Sequence, residues 1–437
     1  MNNLRRLPLT AVMVTALVIT AALSTFLGTS NPSKLSSGLL VASNSESAAL
    51  YCSGLTSSSV TFLNTTSTSH KISLSWTTDT GQSGSESTKI SGNSTWNLSS
   101  VGKGKVFAVA AQVNGGGVVA AVVVSNGLQS ACSSIGAQSW FGAGFDTTVG
   151  STGDLSIYNP TATAAVFNVS TYSDKGFNAP AAFQGLSVNA HQLFVLNLGT
   201  QLVNTSNIGV RVKVLRGSLD IIGIQQSGNT VSYYSGQSQL SKQSLFPLVT
   251  TENGAKAQLR YANPGSKTIS VTVKVSLPPY NVPAQSLTVL PYSSGEITIT
   301  PNTAIPANGY AFVSSSSSDP ILTTLVLGTS KGTSLSALGN PSSSLLFANF
   351  NGSAIETARV TNTSKQSVTV SISSLPGQGV KSSTSKFHIK AGETVQVKLQ
   401  HIATGEFITA PKSVLLATVA LQTTPAGVNL LSALNSR

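Results

Sequence analysis

"LRYANPGSKTISVTVKVS", residues 259–276, holds the pattern that decides the fold. Ile269, Val271, Val273 and Val275 fall on one parity, while Thr268, Ser270, Thr272 and Lys274 fall on the other. This is the period of a strand with one face buried. Leu259 and Tyr261 form a shorter alternating run before Asn263-Pro264. The stretch therefore predicts two strands joined in a hairpin by an Asn-Pro turn.

The same register recurs along the chain. Asn64 in "VTFLNTTS", Asn159 in "LSIYNPTA" and Asn362 in "ARVTNTSK" hold the place of Asn263, at successive spacings of 95, 104 and 99 residues. Two residues before each Asn stand Phe62, Ile157, Tyr261 and Val360. Eight and ten residues after it come Ile72/Leu74, Phe167/Val169, Val271/Val273 and Val370/Ile372. Each repeat then offers a further strand pair, such as "KISGNSTWNL" or "HIKAGETVQVKL", and closes in apolar runs such as "GVRVKVLRGSLDIIGIQQ". About six or seven short strands per roughly 100 residues predict an all-β chain of tandem immunoglobulin-like or fibronectin-like β-sandwiches. Their bounds read as 50–134, 135–240, 241–342 and 343–437.

Composition narrows the class. Charged residues make up 9% of the 437 residues, against about 25% in an ordinary domain. Apolar residues reach 40%, so the chain can bury a core and does not carry the composition of disorder. Lys and Arg total 25 against 13 acids, a net charge of +12. The basic residues are scattered, as at Lys71, Lys103, Arg211 and Lys274, and not clustered with aromatics, which argues against nucleic acid as a partner. Anionic envelope polymers or lipid headgroups suit that charge better, and an unselective solvated surface accounts for it more simply still.

The amino terminus sets the compartment. Arg5 and Arg6 precede 22 uncharged residues, Leu7–Gly28, enough to span a bilayer as one helix. Residues 1–28 are therefore expected to form a cytoplasmic stub and transmembrane signal-anchor, a single pass with the bulk of the chain outside the cell membrane. The alternative is a signal peptide cleaved near Ala22-Leu23-Ser24 and a secreted product, although the apolar run continues through Phe26 and Leu27. Residues 29–49, rich in Ser and Asn, read as a flexible linker. In an oxidising compartment Cys52 and Cys132, which bracket the first sandwich, are expected to form a disulfide.

Catalytic chemistry finds little footing. Asp79-Thr80-Gly81 and Asp146-Thr147-Thr148 invite an aspartic-protease reading, but that chemistry needs two carboxylates sharing one proton. Asp79-Thr80-Gly81 reads as a turn, and Asp146 precedes the Asn159 turn in a different repeat, so the two would not meet. His70, His191, His388 and His401 lack zinc-ligand spacing, and the acids form no calcium loop. There is no nucleophile elbow or phosphate loop, and "VNGGGVV" at 113–119 reads as a hairpin turn. No catalytic, cofactor-binding or metal residue is nominated, and no cofactor is expected.

The second repeat carries a resemblance. "SWFGAGFDTT", "LSIYNPTATAAVFNVSTYSDKG" and "GLSVNAHQLFVLNL" resemble a family of exported actinobacterial proteins classed as the domain of unknown function numbered fifty-seven nineteen. The residues matching its motifs are Trp140, Phe141, Gly144, Thr147, Thr148, Asn159 and Pro160, followed by Gly176, Gly185, Leu186 and Val188. The match is clearest over residues 130–230. The first repeat departs from it, with Tyr51-Cys52 and Asn64-Thr65 aligned to Trp-Phe and Asn-Pro. The resemblance implies an amino-terminal membrane segment and several β repeats, and no chemistry, since the family's activity is uncharacterised.

The leading expectation is a non-enzymatic cell-envelope protein, a membrane-anchored scaffold, spacer or interaction module. Its partners would be the membrane, envelope glycans, anionic polymers or other envelope proteins. The second is a binder of cell-wall polysaccharide or anionic polymer using exposed aromatics. Trp76, Trp96, Trp140, Tyr172, Tyr233 and Tyr234 are the candidates, although Trp76 shares parity with Ile72 and Leu74. A hydrolase is the third.

Overall fold

The computed structural model describes residues 47–435 apart from 54–57, 79, 99–106, 125–128, 134–135, 235, 250–254, 278–279, 300–308, 316–318, 330–331, 337–343, 349–356, 376–382, 400–404, 412–415, 425–426 and 433. The signal-anchor and nearly all of the linker lie outside the described residues. Among those described, no helix is long and apolar enough to cross a membrane.

The fold is all-β, and the first repeat sets the plan. Its strands are β1 (Ser47–Cys52), β2 (Ser58–Asn64), β3 (His70–Thr78), β4 (Ser83–Ile90), β5 (Thr95–Leu98), β6 (Phe107–Asn114), β7 (Val118–Val124) and β8 (Gln129–Ala131). They form two antiparallel sheets, ordered β1-β6-β3-β4 and β5-β2-β7-β8. Leu50, Ile72 and Val109 of one sheet meet Val60, Phe62 and Ala120 of the other in a common core. The later repeats follow the same plan. The β2 equivalents are Ser151–Tyr158, Lys256–Ala262 and Thr357–Asn362, and the β3 equivalents are Ala165–Ser173, Ile269–Leu277 and Val368–Ser374. Each repeat has its own core. The strand β1 begins at Ser47, inside the stretch expected to be linker.

The Asn turn is not a hairpin. β2 pairs with β5 and β7, whereas β3 pairs with β4 and β6, so residues 65–69 arch from one sheet to the other. The glycine turn at 115–117 does the same, since β6 and β7 belong to different sheets. The link from Ile90 to Thr95 also crosses between layers. Alternation identifies the face a strand buries but not the sheet it joins. Both strands flanking an arch bury one face in the same core, about 10 Å apart.

The four asparagines make the arch possible. All are fully buried. The side-chain N–H groups of Asn64, Asn159, Asn263 and Asn362 donate to the carbonyls of Thr68, Thr163, Lys267 and Gln366 at 2.7, 2.8, 2.7 and 2.7 Å. They also reach the carbonyls of Ser91, Asn189, Leu290 and Lys390 at 3.0, 3.1, 3.0 and 3.1 Å. Each side-chain oxygen accepts the backbone N–H two residues on, from Thr66, Thr161, Gly265 and Ser364. One carboxamide thus ties the end of β2, the approach to β3 and the exit from β4. Asp has no N–H to donate and cannot replace it. Beside each lock the β4–β5 crossing holds one residue at positive φ: Asn93, His191, Tyr292 and Gly392.

The Cys52–Cys132 disulfide is present. It joins the edge strand β1 of one sheet to the residue after β8, the edge strand of the other. The sandwiches also touch one another beyond their order in the chain. Strand Thr230–Tyr234 of the second meets Gly332–Ser336 of the third and Gly427–Ser432 of the fourth, and the latter two meet each other.

Two outcomes are expected. Asn263→Ala orphans several buried carbonyls and should cost about 3 kcal/mol, a fall of roughly 10–20 °C in the melting of the third sandwich by calorimetry. Asn263→Asp should rescue little of it, and an unchanged melt for both would refute the lock. Reduction opens a loop closed across a separation of 80 residues, and should remove about 4 kcal/mol from the first sandwich. Matched thermal scans with and without a phosphine reductant measure this loss.

Candidate functional site

The motif around Trp140 lies on the first strand of the second sandwich, Ser139–Phe145. Trp140 points into that sandwich's own core, with ring centroids 6.2 Å from Phe145 and 6.0 Å from Tyr234. Gly223 and Gly236 leave room for these rings, since a Cβ at either would come within 2.5 Å of a Phe145 or Trp140 ring atom. Phe141 faces outward and packs with Tyr172 against Ala262 and Leu322 of the third sandwich. The motif therefore serves its own core and the following junction.

Its glycine and acid are structural too. Gly144 adopts φ 96°, and its carbonyl accepts a 2.7 Å hydrogen bond from Arg260 Nη1 of the third sandwich. Burial lowers the Arg260 pKa, and Glu296, at 3.5 Å, opposes that shift. The Asp146 carboxylate accepts the Thr148 backbone N–H at 2.8 Å. Gln225 brackets the Asp146 backbone, accepting its N–H at 2.9 Å and donating to its carbonyl at 3.1 Å. The Thr147 hydroxyl donates to the Leu202 carbonyl. Asp79 lies outside the described residues.

Further hydrogen bonds fasten the junctions. Between the first and second sandwiches, the Ser53 hydroxyl donates to an Asp220 carboxyl oxygen at 2.6 Å. Asp220 is buried, and desolvation pushes its pKa up to about 7 against the hydrogen bonds from Ser53. Tyr51 and Tyr158 lie close by, both raised chiefly by burial and further by Asp220. Between the second and third, Thr324 donates to the Tyr234 hydroxyl at 3.1 Å, and Ser294 donates to the Asn207 carbonyl. Tyr234, deeply buried, is pushed up to about 12 by desolvation.

Two grooves open at these junctions, at equivalent places in the repeat. In the first, the outer face of the sheet containing β1, β6 and β3 forms the floor; in the second, Phe141 and Arg211 of the strands equivalent to β1 and β6 line it; and in each the Asn turn of the next sandwich stands at one side. The first holds about 610 Å³ and is flanked by Pro160. Its floor has two rows in register across four strands. One is Ala49, Gln112, Ser73 and Ser87; the other is Tyr51, Ala110, Ser75 and Ser85. The second holds about 290 Å³, flanked by Pro264 and Lys267. There Phe141, Arg211 and Ser170 occupy the places of Tyr51, Ala110 and Ser75. The backbone register thus matches Tyr51 to Phe141 and Leu50 to Trp140, one residue away from the sequence alignment of Tyr51-Cys52 with Trp-Phe. Arg211 lies 5.7 Å from the centre of the Phe141 ring, and Lys267 stands 3.9 Å from Asp319.

The proposed aromatic platform is not formed. Trp140, Tyr172 and Tyr234 are buried, and Trp76, Trp96 and Tyr233 pack partly buried against the first core. Apolar rings on an inward parity serve the core before they serve a ligand. Exposed rings occur instead at Phe177 and Tyr292, 52% and 41% exposed with centroids 5.9 Å apart, which lay outside the candidate set. Among the described residues no group of three or more His, Cys, Asp and Glu is placed to hold a metal. The ring nitrogens of His70 lie 2.8 Å from the Asn114 carbonyl oxygen and 2.8 Å from the Thr66 hydroxyl oxygen, clamping the first arch. His388 lies in an exposed strand position, and His401 is outside the described residues.

Residues 125–230 match the model of a family described as a family of unknown function, DUF5719. The match covers the whole Trp140–Pro160 motif and most of the second sandwich. No curated protein matches the chain. A solved structure described as "Crystal structure of tetra-tandem repeat in extending region of large adhesion protein" is similar over 84% of this chain and 92% of that one, at 14% identity and a TM-score of 0.13. At that score the two chains do not superpose as wholes.

The buried Asp220 gives the first junction a pH dependence. Its folded pKa of about 7 stands above the ordinary value of about 3.9. The folded chain therefore holds the extra proton between those values, and stability is lost as pH rises from about 4 to about 7. Calorimetry should show a higher melting temperature at pH 5 than at pH 8, and Asp220→Asn should flatten the difference. A melt that instead rises with pH in the parent, and not in the variant, would refute the assignment.

Proposed function

We propose that this chain is a non-enzymatic, extracytoplasmic scaffold of the cell envelope, held to the membrane by residues 1–28 and presenting a rigid stack of β-sandwiches. The observation that carries the reading is the fastening of successive sandwiches to one another. Arg260 reaches back to Gly144, Thr324 to Tyr234, and Asp220 meets Ser53. Such buried contacts oppose free hinging at the junctions. The meeting of the second, third and fourth sandwiches through Thr230–Tyr234, Gly332–Ser336 and Gly427–Ser432 favours a scaffold over an extended spacer. The disulfide accords with an oxidising location, and the apolar Leu7–Gly28 run supports the anchor.

A second function, the binding of an envelope polymer, is favoured by the grooves of about 610 and 290 Å³ between sandwiches. Both approach or fall within the volume range of ligand sites.

Fractionation tests the principal proposal. A carboxy-terminally tagged full chain should pellet with membranes and resist extraction by high salt. Its tag should be lost to protease added to cells stripped of their wall but otherwise intact. Recovery of an intact, protease-protected chain from the cytosol would overturn it.

A further inference from the structure

The geometry points to the first groove as a binding site for a neutral glycan strand, an inference that rests on the polymer-binding function. The floor is a platform of small side chains. Ser73 and Ser87 sit side by side with hydroxyl oxygens 3.2 Å apart, and Ser75 and Ser85 are backbone partners one row along. Gln112 and Ala110 continue those rows into β6, and Ala49 and Tyr51 end them on β1. The centre of the trough is alanine; at the place of Ala110 the second sandwich carries Arg211, and the equivalent groove is less than half as large.

The lining selects the ligand class. Hydroxyls and a carboxamide both donate and accept, so they match a ligand studded with hydroxyls that does the same. Tyr51 and Pro160 supply apolar surface at one end, where the face of a sugar ring can lie. Glu86 is the charged residue of the lining, and no Lys or Arg contributes to it. Lys71 and Lys89 form the next row of the same face beyond Ser73 and Ser87, so basic charge stands at the rim while the trough itself is lined by neutral groups and Glu86. A peptide added as a strand needs an open sheet edge, whereas here the face is presented and its backbone groups are spent in the ladder. Four strands at about 4.8 Å spacing give a floor about 14 Å wide, room for a short run of sugar rings.

Titration calorimetry of the purified full chain against cellohexaose, maltohexaose, mannohexaose and chitohexaose tests the site, with polygalacturonate and a wall teichoic acid as anionic comparisons. At least one neutral hexasaccharide should bind, and Ala110→Arg and Ser75→Arg should each weaken it tenfold or more. Arg is accommodated at the Ala110 place in the second sandwich, so that variant is expected to fold, and an unchanged thermal melt verifies it. Lys267→Ala in the second groove should leave the neutral binding as it was. Neutral binding indifferent to Ala110→Arg would overturn the site. Binding of the anionic polymers alone, lost with Lys267→Ala, would overturn the inference while leaving polymer binding standing. Binding of no polymer would overturn both.

Discussion

A buried carboxamide is the constraint on which this architecture rests. A sandwich must carry its chain from one sheet to the other, and the corner leaves backbone carbonyls facing inward without a ladder partner. Burying such groups unsatisfied costs more than a marginally stable sandwich of about 100 residues can bear. Asn64, Asn159, Asn263 and Asn362 answer the same need in every repeat, each gathering carbonyls from two crossings at once. The Pro or Thr that follows then lies on the outer surface. In the first two junctions the outer side of this corner, at Pro160 and Pro264, becomes a wall of the neighbouring groove. Internal stability and surface relief are consequences of one turn.

The chain's shortage of ions fits this construction. Beside apolar contacts such as Phe141 and Tyr172 against Ala262 and Leu322, its junctions are closed by hydroxyls, amides and carbonyls, with Arg260 and Asp220 as ionisable exceptions that each find a partner in the adjoining sandwich. Hydrogen bonds between neutral groups are screened little by salt, whereas exposed ion pairs weaken with it. A protein assembled in this way holds its geometry across a wide range of ionic strength.

Much of the fold was legible in the sequence, and the reason is periodicity. The Asn register, the alternation around it and the single cysteine pair established repeats, strands and staple. The partner of each strand was not legible. Ile72 and Phe62 alternate in the same way whether their strands pair or face each other across a core, and only the observed ladders, β2 with β5 and β7 and β3 with β4 and β6, separate the two. The register of Tyr51 with Phe141 was hidden because both first strands carry adjacent bulky residues, and the pairing with Ala110 and Arg211 decides the match. The grooves were invisible for a different reason: small residues such as Ala110 and Ser75 leave no mark in a sequence until a neighbouring sandwich frames the space above them.

The locks also bear on how this protein can be made. Asn64-Thr65-Thr66 and Asn362-Thr363-Ser364 are acceptor sequences for N-linked glycosylation, whereas Pro160 and Pro264 disqualify Asn159 and Asn263. A host that attaches glycans to nascent chains meets these asparagines before folding hides them. A glycosylated amide keeps only one N–H and carries a bulky substituent into a fully buried corner. Passage through a eukaryotic secretory pathway would thus expose the locks of the first and fourth sandwiches to modification and leave those of the second and third unmodified, although the second carries acceptor sequences elsewhere at Asn168 and Asn204, which makes a host lacking that modification the appropriate source of folded material.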